Sequence, residues 1–232
     1  INPPPGSECT TPSADIPASK AEVDNLIRQT CVGSSLPSGD LGEYFQASVR
    51  QSINAWAYPP YQQDAPGGQS SNHPQITNAV DGYAEGLRYA GSNQFVPGYV
   101  TSILETKFAE NPSNALDGPQ YRTHFDDLAR IYQQKPEGTD LYGLPSYILV
   151  TNSTFSSAQD LGSSYRYNDM VAEAQARNIN VFHFRVVKDG GDDFYLEGEA
   201  LADSFATGVT NWLRDILNIN QVPFQVSCTP EP

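Results

Sequence analysis

The chain has 232 residues, of which only 17% are charged, and 27 acidic against 13 basic side chains give a formal charge of −14. That length supports one hydrophobic core, and so few Lys and Arg residues argue against nucleic acid or an anionic membrane surface as partners. No run approaches the ~20 apolar residues of a membrane-spanning helix. The opening Ile1-Asn2-Pro3-Pro4-Pro5-Gly6 lacks the basic start and apolar stretch of a signal peptide and reads as the trimmed end of a secreted chain.

In chain order, residues 1–18 read as an extended Pro-rich tail. Ser19 and Glu22 make a capping box, and Val23, Leu26, Ile27 and Cys31 mark one face of the helix that follows. Asp40 and Glu43 repeat the pattern ahead of Leu41, Phe45, Val49, Ile53 and Trp56, which keep helical spacing. A loop rich in Pro, Gln, Gly and Tyr covers 57–71. Pro74 and Pro97 suit the first turn of two further helices, one burying Ile76, Val80, Tyr83, Ala84 and Leu87, the other Val100, Ile103, Leu104 and Phe108. Tyr121, Phe125, Leu128 and Tyr132 outline another, ended by Pro136.

The second half changes period. Tyr147-Ile148-Leu149-Val150 has the continuous apolar character of a strand buried on both faces. A helix from Asn168 to Arg177 and a β-branched, aromatic run from Ile179 to Val187 complete a βαβ unit with a parallel pair. Asp189-Gly190-Gly191-Asp192 predicts a turn into an antiparallel strand from Phe194 to Leu196. Leu201, Phe205, Val209, Trp212, Leu213 and Ile216 predict a last helix, and 223–232 a tail. The expected fold is α+β, or mixed α/β. A helix-rich N-terminal layer packs on a small mixed β-sheet with one βαβ unit, within a single domain spanning 19–222.

Cys9, Cys31 and Cys228 imply one disulfide and one thiol. Cys9 and Cys228 lie in Pro-rich ends, and chain termini often approach each other, so the favoured bridge is Cys9–Cys228. Cys31, on the apolar side of its helix, then remains as a buried thiol, with Cys31–Cys228 the alternative. No Cys/His cluster has zinc spacing, and Asp189, Asp192 and Asp193 lack the pattern of a calcium loop. No metal and no cofactor are expected.

Two clusters could carry acid–base chemistry. His124 and Asp127 stand three apart on a helix, where Asp127 could orient His124 as a base and Arg130 could bind an anion; weak surface ion pairs explain the same spacing. Glu197 and Glu199 project from one face of an extended segment, where mutual repulsion can separate an acid from a base. His183 points away from Phe182 and Phe184 and could line a site. Trp56, Tyr58 and Tyr61 could stack on sugar rings, and Asn152-Ser153-Thr154 is an N-glycosylation sequon.

Tyr121-Arg122, then Val150-Thr151-Asn152-Ser153-Thr154, then Glu197-Gly198-Glu199 follow an order that resembles the mono-ADP-ribosyltransferase toxins. The resemblance covers less than half of the chain and implies NAD as substrate. It departs from the family where Arg122 lies on a predicted helix rather than a strand, and where Asn152 interrupts the serine motif.

These features lead to an expected function as a secreted, monomeric hydrolase. It would act on an extracellular glycan or cell-wall polymer, or on a small-molecule substrate, by carboxylate or His/Asp acid–base chemistry. An NAD-consuming transferase or glycohydrolase and a non-catalytic binding protein or effector are the alternatives.

Overall fold

The helix expected after Ser19 forms as α1 (Lys20–Thr30). Ser19 Oγ accepts the Glu22 N–H at 3.2 Å, and the Glu22 carboxylate accepts the Ser19 N–H at 2.9 Å. The structure is a computed structural model that describes residues 16–31, 41–57, 59–66, 69–110, 118–140, 145–152, 165–200 and 222–230. The second helix is α2 (Leu41–Asn54), which buries Leu41, Phe45, Val49 and Ile53 as the spacing predicts.

The helices predicted from Pro74 and Pro97 do not form. Residues 74–81 run without regular structure into β2 (Gly82–Glu85), followed by β3 (Arg88–Tyr89) and the long β4 (Val100–Lys107). Val100, Ile103 and Leu104 fit a helical period, yet Ile103 and Leu104 pack into different core clusters on opposite sides of the sheet. A strand covered on both faces carries apolar residues on each of them, so Val100, Ile103 and Leu104 mimic a helical stripe.

Beyond β4 the expected order holds. The elements are α3 (Gly118–Gln133), β5 (Thr139–Asp140), β6 (Ser146–Thr151), α4 (Tyr165–Ala176), β7 (Asn180–Lys188), β8 (Phe194–Ala200) and β9 (Val222–Pro223). The final predicted helix, 201–216, lies outside the described residues. The main sheet has the order β2-β4-β6-β7-β8-β9, and β1 (Ile16–Pro17) pairs with the end of β7. Pairing is parallel in β4–β6 and β6–β7 and antiparallel elsewhere. Two consecutive βαβ units, β4-α3-β6 and β6-α4-β7, therefore stand where one was expected.

Helices α1 and α2 cover one sheet face, packing on Leu104, Ile148, Val150, Phe182, Phe184 and Val186. Helices α3 and α4 cover the other, packing on Ile103, Tyr147, Leu149 and Val181. The result is an α+β fold with its mixed sheet between two helical layers. No helix among the described residues is long and apolar enough to cross a membrane.

Both ends read as tails join the body. Ile16 and Pro17 pair with Lys188 and Val187, Ala18 is buried, and Val222 and Phe224 enter the core under α2. Two buried serines one turn apart on α2 hold the C-terminal segment. Ser52 Oγ accepts the Gln225 N–H at 2.8 Å, and Ser48 Oγ accepts the Ser227 N–H at 2.9 Å. That ladder brings Cys228 to the end of α1, where it bridges Cys31 with the Cα atoms 5.3 Å apart. The favoured Cys9–Cys228 pairing is thus corrected to Cys31–Cys228, because the serines of α2 fix the tail beside the end of α1. Cys9 lies outside the described residues.

Candidate functional site

His124 and Asp127 do not form the predicted couple. Asp127 is committed to the 74–81 segment: its carboxylate accepts the Thr77 N–H at 2.7 Å, the Thr77 hydroxyl at 2.8 Å and Arg130 Nη2 at 2.6 Å. Arg130 also donates to the Gln75 carbonyl at 2.6 Å, so the pair pins that segment to α3. His124 is fully buried 6.1 Å from the Tyr147 ring, and both ring nitrogens lack a hydrogen bond. Burial lowers its pKa to about 4 against the opposing charge of Asp127, so the ring is neutral at physiological pH. Asp126 pairs with Arg177 at 2.6 Å instead of with Arg130.

The predicted aromatic platform is not assembled from the described residues. Trp56 is exposed, whereas Tyr61 is buried with its hydroxyl 2.5 Å from Ser102 Oγ; Tyr58 lies outside the described residues. Asn152 is fully buried, its Oδ1 accepting the Ala109 N–H at 2.8 Å. Its Nδ2, the atom a glycan would join, is enclosed as well, so this sequon presents no acceptor at the surface. Arg122 sits on α3, paired with Asp169 and Glu173, away from the strand position of the transferase family.

The structure instead gathers polar side chains where the parallel strands end, with Glu105, Lys107 and Thr151 on the α3–α4 face and Thr106 on the face that α1 and α2 cover. Asp81, just ahead of β2, accepts from both the N–H (2.5 Å) and the hydroxyl (2.7 Å) of Thr106 near the end of β4. Beside it Glu105 is buried at 2% exposure, its Oε1 accepting Lys107 Nζ at 2.6 Å and Gln120 Nε2 at 2.8 Å. Glu105 Oε2 is buried without a partner. Loss of water around the Asp81 carboxylate, and then the neighbouring charge of Glu105, push the Asp81 pKa up to about 7. Burial and the same two acids keep the Tyr147 hydroxyl protonated.

The strand register extends this centre sideways. Lys107 lies opposite Thr151, Thr151 opposite Arg185, and Arg185 opposite Glu197. Thr151 Oγ1 is 2.8 Å from Nε2 of the buried His183, and Arg185 donates to Glu197 Oε2 from Nη2 at 3.0 Å and Nε at 3.2 Å. His183, Arg185, Glu197 and Gly198 line a small pocket of about 70 Å³. Glu199 pairs with His183 in register; its side chain is outside what the structure describes. Of the predicted residues, the fold thus brings together His183 and Glu197, at one end of a polar row whose other end the sequence reading missed. The overlooked signal was Glu105-x-Lys107, which points to one face of a strand but to different faces of the helix predicted there.

The two shifted buried groups act oppositely on the stability of the protein. The unfolded chain protonates His124 first as pH falls below about 6.5, so stability from this group is full above that pH and is lost through about 4. For Asp81 the folded pKa is the higher one, so its contribution is present below about 3.8 and lost as pH rises through about 7. Each can change stability by up to ~1.4 kcal/mol per pH unit. In chelator-treated protein, Asp81→Asn is expected to steepen the fall in urea midpoint between pH 6.5 and 4.5, and His124→Leu to flatten it. Parallel slopes in both variants and the parent would refute these assignments.

Among the described residues no three His, Cys, Asp or Glu side chains cluster as a metal cage; Glu105 with the Lys107 ammonium, and Asp81 within reach of their charges, are the buried acids at this end of the sheet. Comparison with protein-family models, with curated proteins and with solved structures finds no match.

Proposed function

We propose that this protein is a divalent-cation-dependent hydrolase of phosphodiester bonds, centred on Asp81, Glu105 and Lys107. The observation that carries this reading is the buried, unpartnered Glu105 Oε2, with the Asp81 carboxylate within range of its charge. A buried anionic oxygen with no donor is costly unless a cation meets it. Oxygen-only donors favour a hard cation, and Mg²⁺ is commonly held by one or two carboxylates with waters and substrate phosphate completing its shell.

When bound, the cation would polarise a phosphoryl oxygen and acidify its water. Gln120 and Lys107 hold Glu105 through Oε1, and Oε2 would be the oxygen offered to the cation. Thr106 orients Asp81 by two bonds to a single oxygen, and the other oxygen remains for the cation. Lys107, whose ammonium is held at Glu105, would supply positive charge to a non-bridging phosphate oxygen. In the hydrolysis a water oxygen bonds to phosphorus, the ester P–O bond breaks, and the leaving oxygen takes up a proton.

This substrate class departs from the expectation drawn from net charge. A charge of −14 weakens long-range attraction of a polyanion, whereas a site that carries its own cation binds phosphate locally. The Cys31–Cys228 bridge supports secretion or another oxidising compartment. The test is incubation of the purified protein with bis(4-nitrophenyl) phosphate and with DNA and RNA, in Mg²⁺, Mn²⁺ or EDTA. Cleavage in either metal and none in EDTA is expected; no cleavage of any of them in either metal would sink the proposal. A second reading, an acid–base glycosidase using the His183–Arg185–Glu197 pocket, predicts metal-independent turnover of aryl glycosides instead.

A further inference from the structure

We propose that Arg185 forms a second phosphate subsite, beside the carboxylate centre, and that Glu197 occupies it in the substrate-free protein; this rests on the phosphodiester reading above. Lys107, Thr151 and Arg185 are successive partners across β4, β6 and β7 on one sheet face. Neighbouring strands lie ~4.8 Å apart, so the Lys107 and Arg185 backbones stand ~10 Å apart. Their long side chains can therefore reach two different phosphates of one strand of nucleic acid.

Three observations point to an anion at the Arg185 end. The guanidinium is only partly exposed, at 29%, and lines the pocket rather than projecting into bulk water. It already holds a carboxylate, with Nε and Nη2 both directed at the same Glu197 oxygen, a geometry a phosphate oxygen can take over. The pocket floor adds His183, whose Nε2 is engaged by Thr151, so the imidazole is held in place beside the guanidinium. Glu197 is itself partly exposed, at 32%, and can swing outward when a more strongly charged ligand arrives.

A substrate with a single phosphate uses the carboxylate centre alone, whereas a strand uses both positions. The test compares the kcat/KM for a short single-stranded oligonucleotide with that for bis(4-nitrophenyl) phosphate, in Arg185→Gln, Glu197→Gln and the parent protein. Arg185→Gln is expected to lower the oligonucleotide-to-diester ratio about tenfold and to reduce the salt dependence of oligonucleotide KM by about one phosphate contact. Glu197→Gln is expected to raise the same ratio, because it frees the guanidinium. Anisotropy of the labelled oligonucleotide in Ca²⁺ gives a readout independent of turnover, with affinity about tenfold weaker for Arg185→Gln. An unchanged ratio and unchanged affinity in Arg185→Gln would overturn the subsite even where both substrates are cleaved. Absence of oligonucleotide binding to the parent protein would overturn it as well, and loss of cleavage with binding retained would fault only the proposed chemistry.

Discussion

Asp81→Asn and Glu105→Gln are each expected to lower cation-dependent phosphodiester hydrolysis by at least ~10³-fold, beyond the 10–100-fold typical of outer-shell changes at metal sites. Both exchanges preserve shape and remove one negative charge from a pair of neighbouring acids. Asn can still present a carbonyl oxygen to the two Thr106 donors, so Asp81→Asn keeps the link between β2 and β4. Because burial and Glu105 disfavour the Asp81 anion, that variant is expected to be at least as stable as the parent near pH 7. Calorimetric titration with Mn²⁺ separates the causes: loss of binding together with activity supports the ligand role, and full activity in both variants would refute it. Gln120→Ala, which releases Glu105 Oε1 without touching the ligand set, is expected to cost 10–100-fold.

Removing the disulfide has the largest effect expected on stability. Cys31 and Cys228 are 197 positions apart, so the bridge closes most of the chain and restricts its unfolded ensemble. Chain-entropy arguments put that contribution at about 5 kcal/mol, which for a protein of this size corresponds to a fall in Tm of roughly 10–20 °C. Cys31→Ser, Cys228→Ser or treatment with reductant should each produce it, whereas Cys9→Ser should not. Equal Tm values for the parent and Cys228→Ser would show that the serine ladder alone holds the tail. Ser48→Ala tests that ladder separately, since it leaves the half-buried Ser227 N–H without its acceptor.

Much of the second half was legible because its signals are local. Tyr147–Val150 is apolar without interruption, and Ile179–Val187 is rich in β-branched and aromatic residues. Their strands follow from that composition, as the turn before β8 follows from Asp189-Gly190-Gly191-Asp192. The first half misled at Val100–Phe108, where two apolar faces of one strand coincide with a helical stripe. That single misassignment hid the site, since Glu105 and Lys107 share a face only in an extended chain. The spacing of His124, Asp127 and Arg130 was equally visible, and it allowed the Asp127–Arg130 pair that forms, but it could not reveal that Thr77 also takes the carboxylate.

The sequence by itself determined the acidic surface, α1 with its capping box, α2, the parallel core of β6 and β7, and the presence of one disulfide among three cysteines. These follow from composition and from interactions between residues a few positions apart. Only the tertiary structure decided that Cys31 is the partner of Cys228, that Asp81 feels the charge of Glu105, and that Lys107, Thr151, Arg185 and Glu197 form one row. Each of these depends on strand order and register. Packing of the whole sheet between its two helical layers fixes them, and no local pattern encodes them.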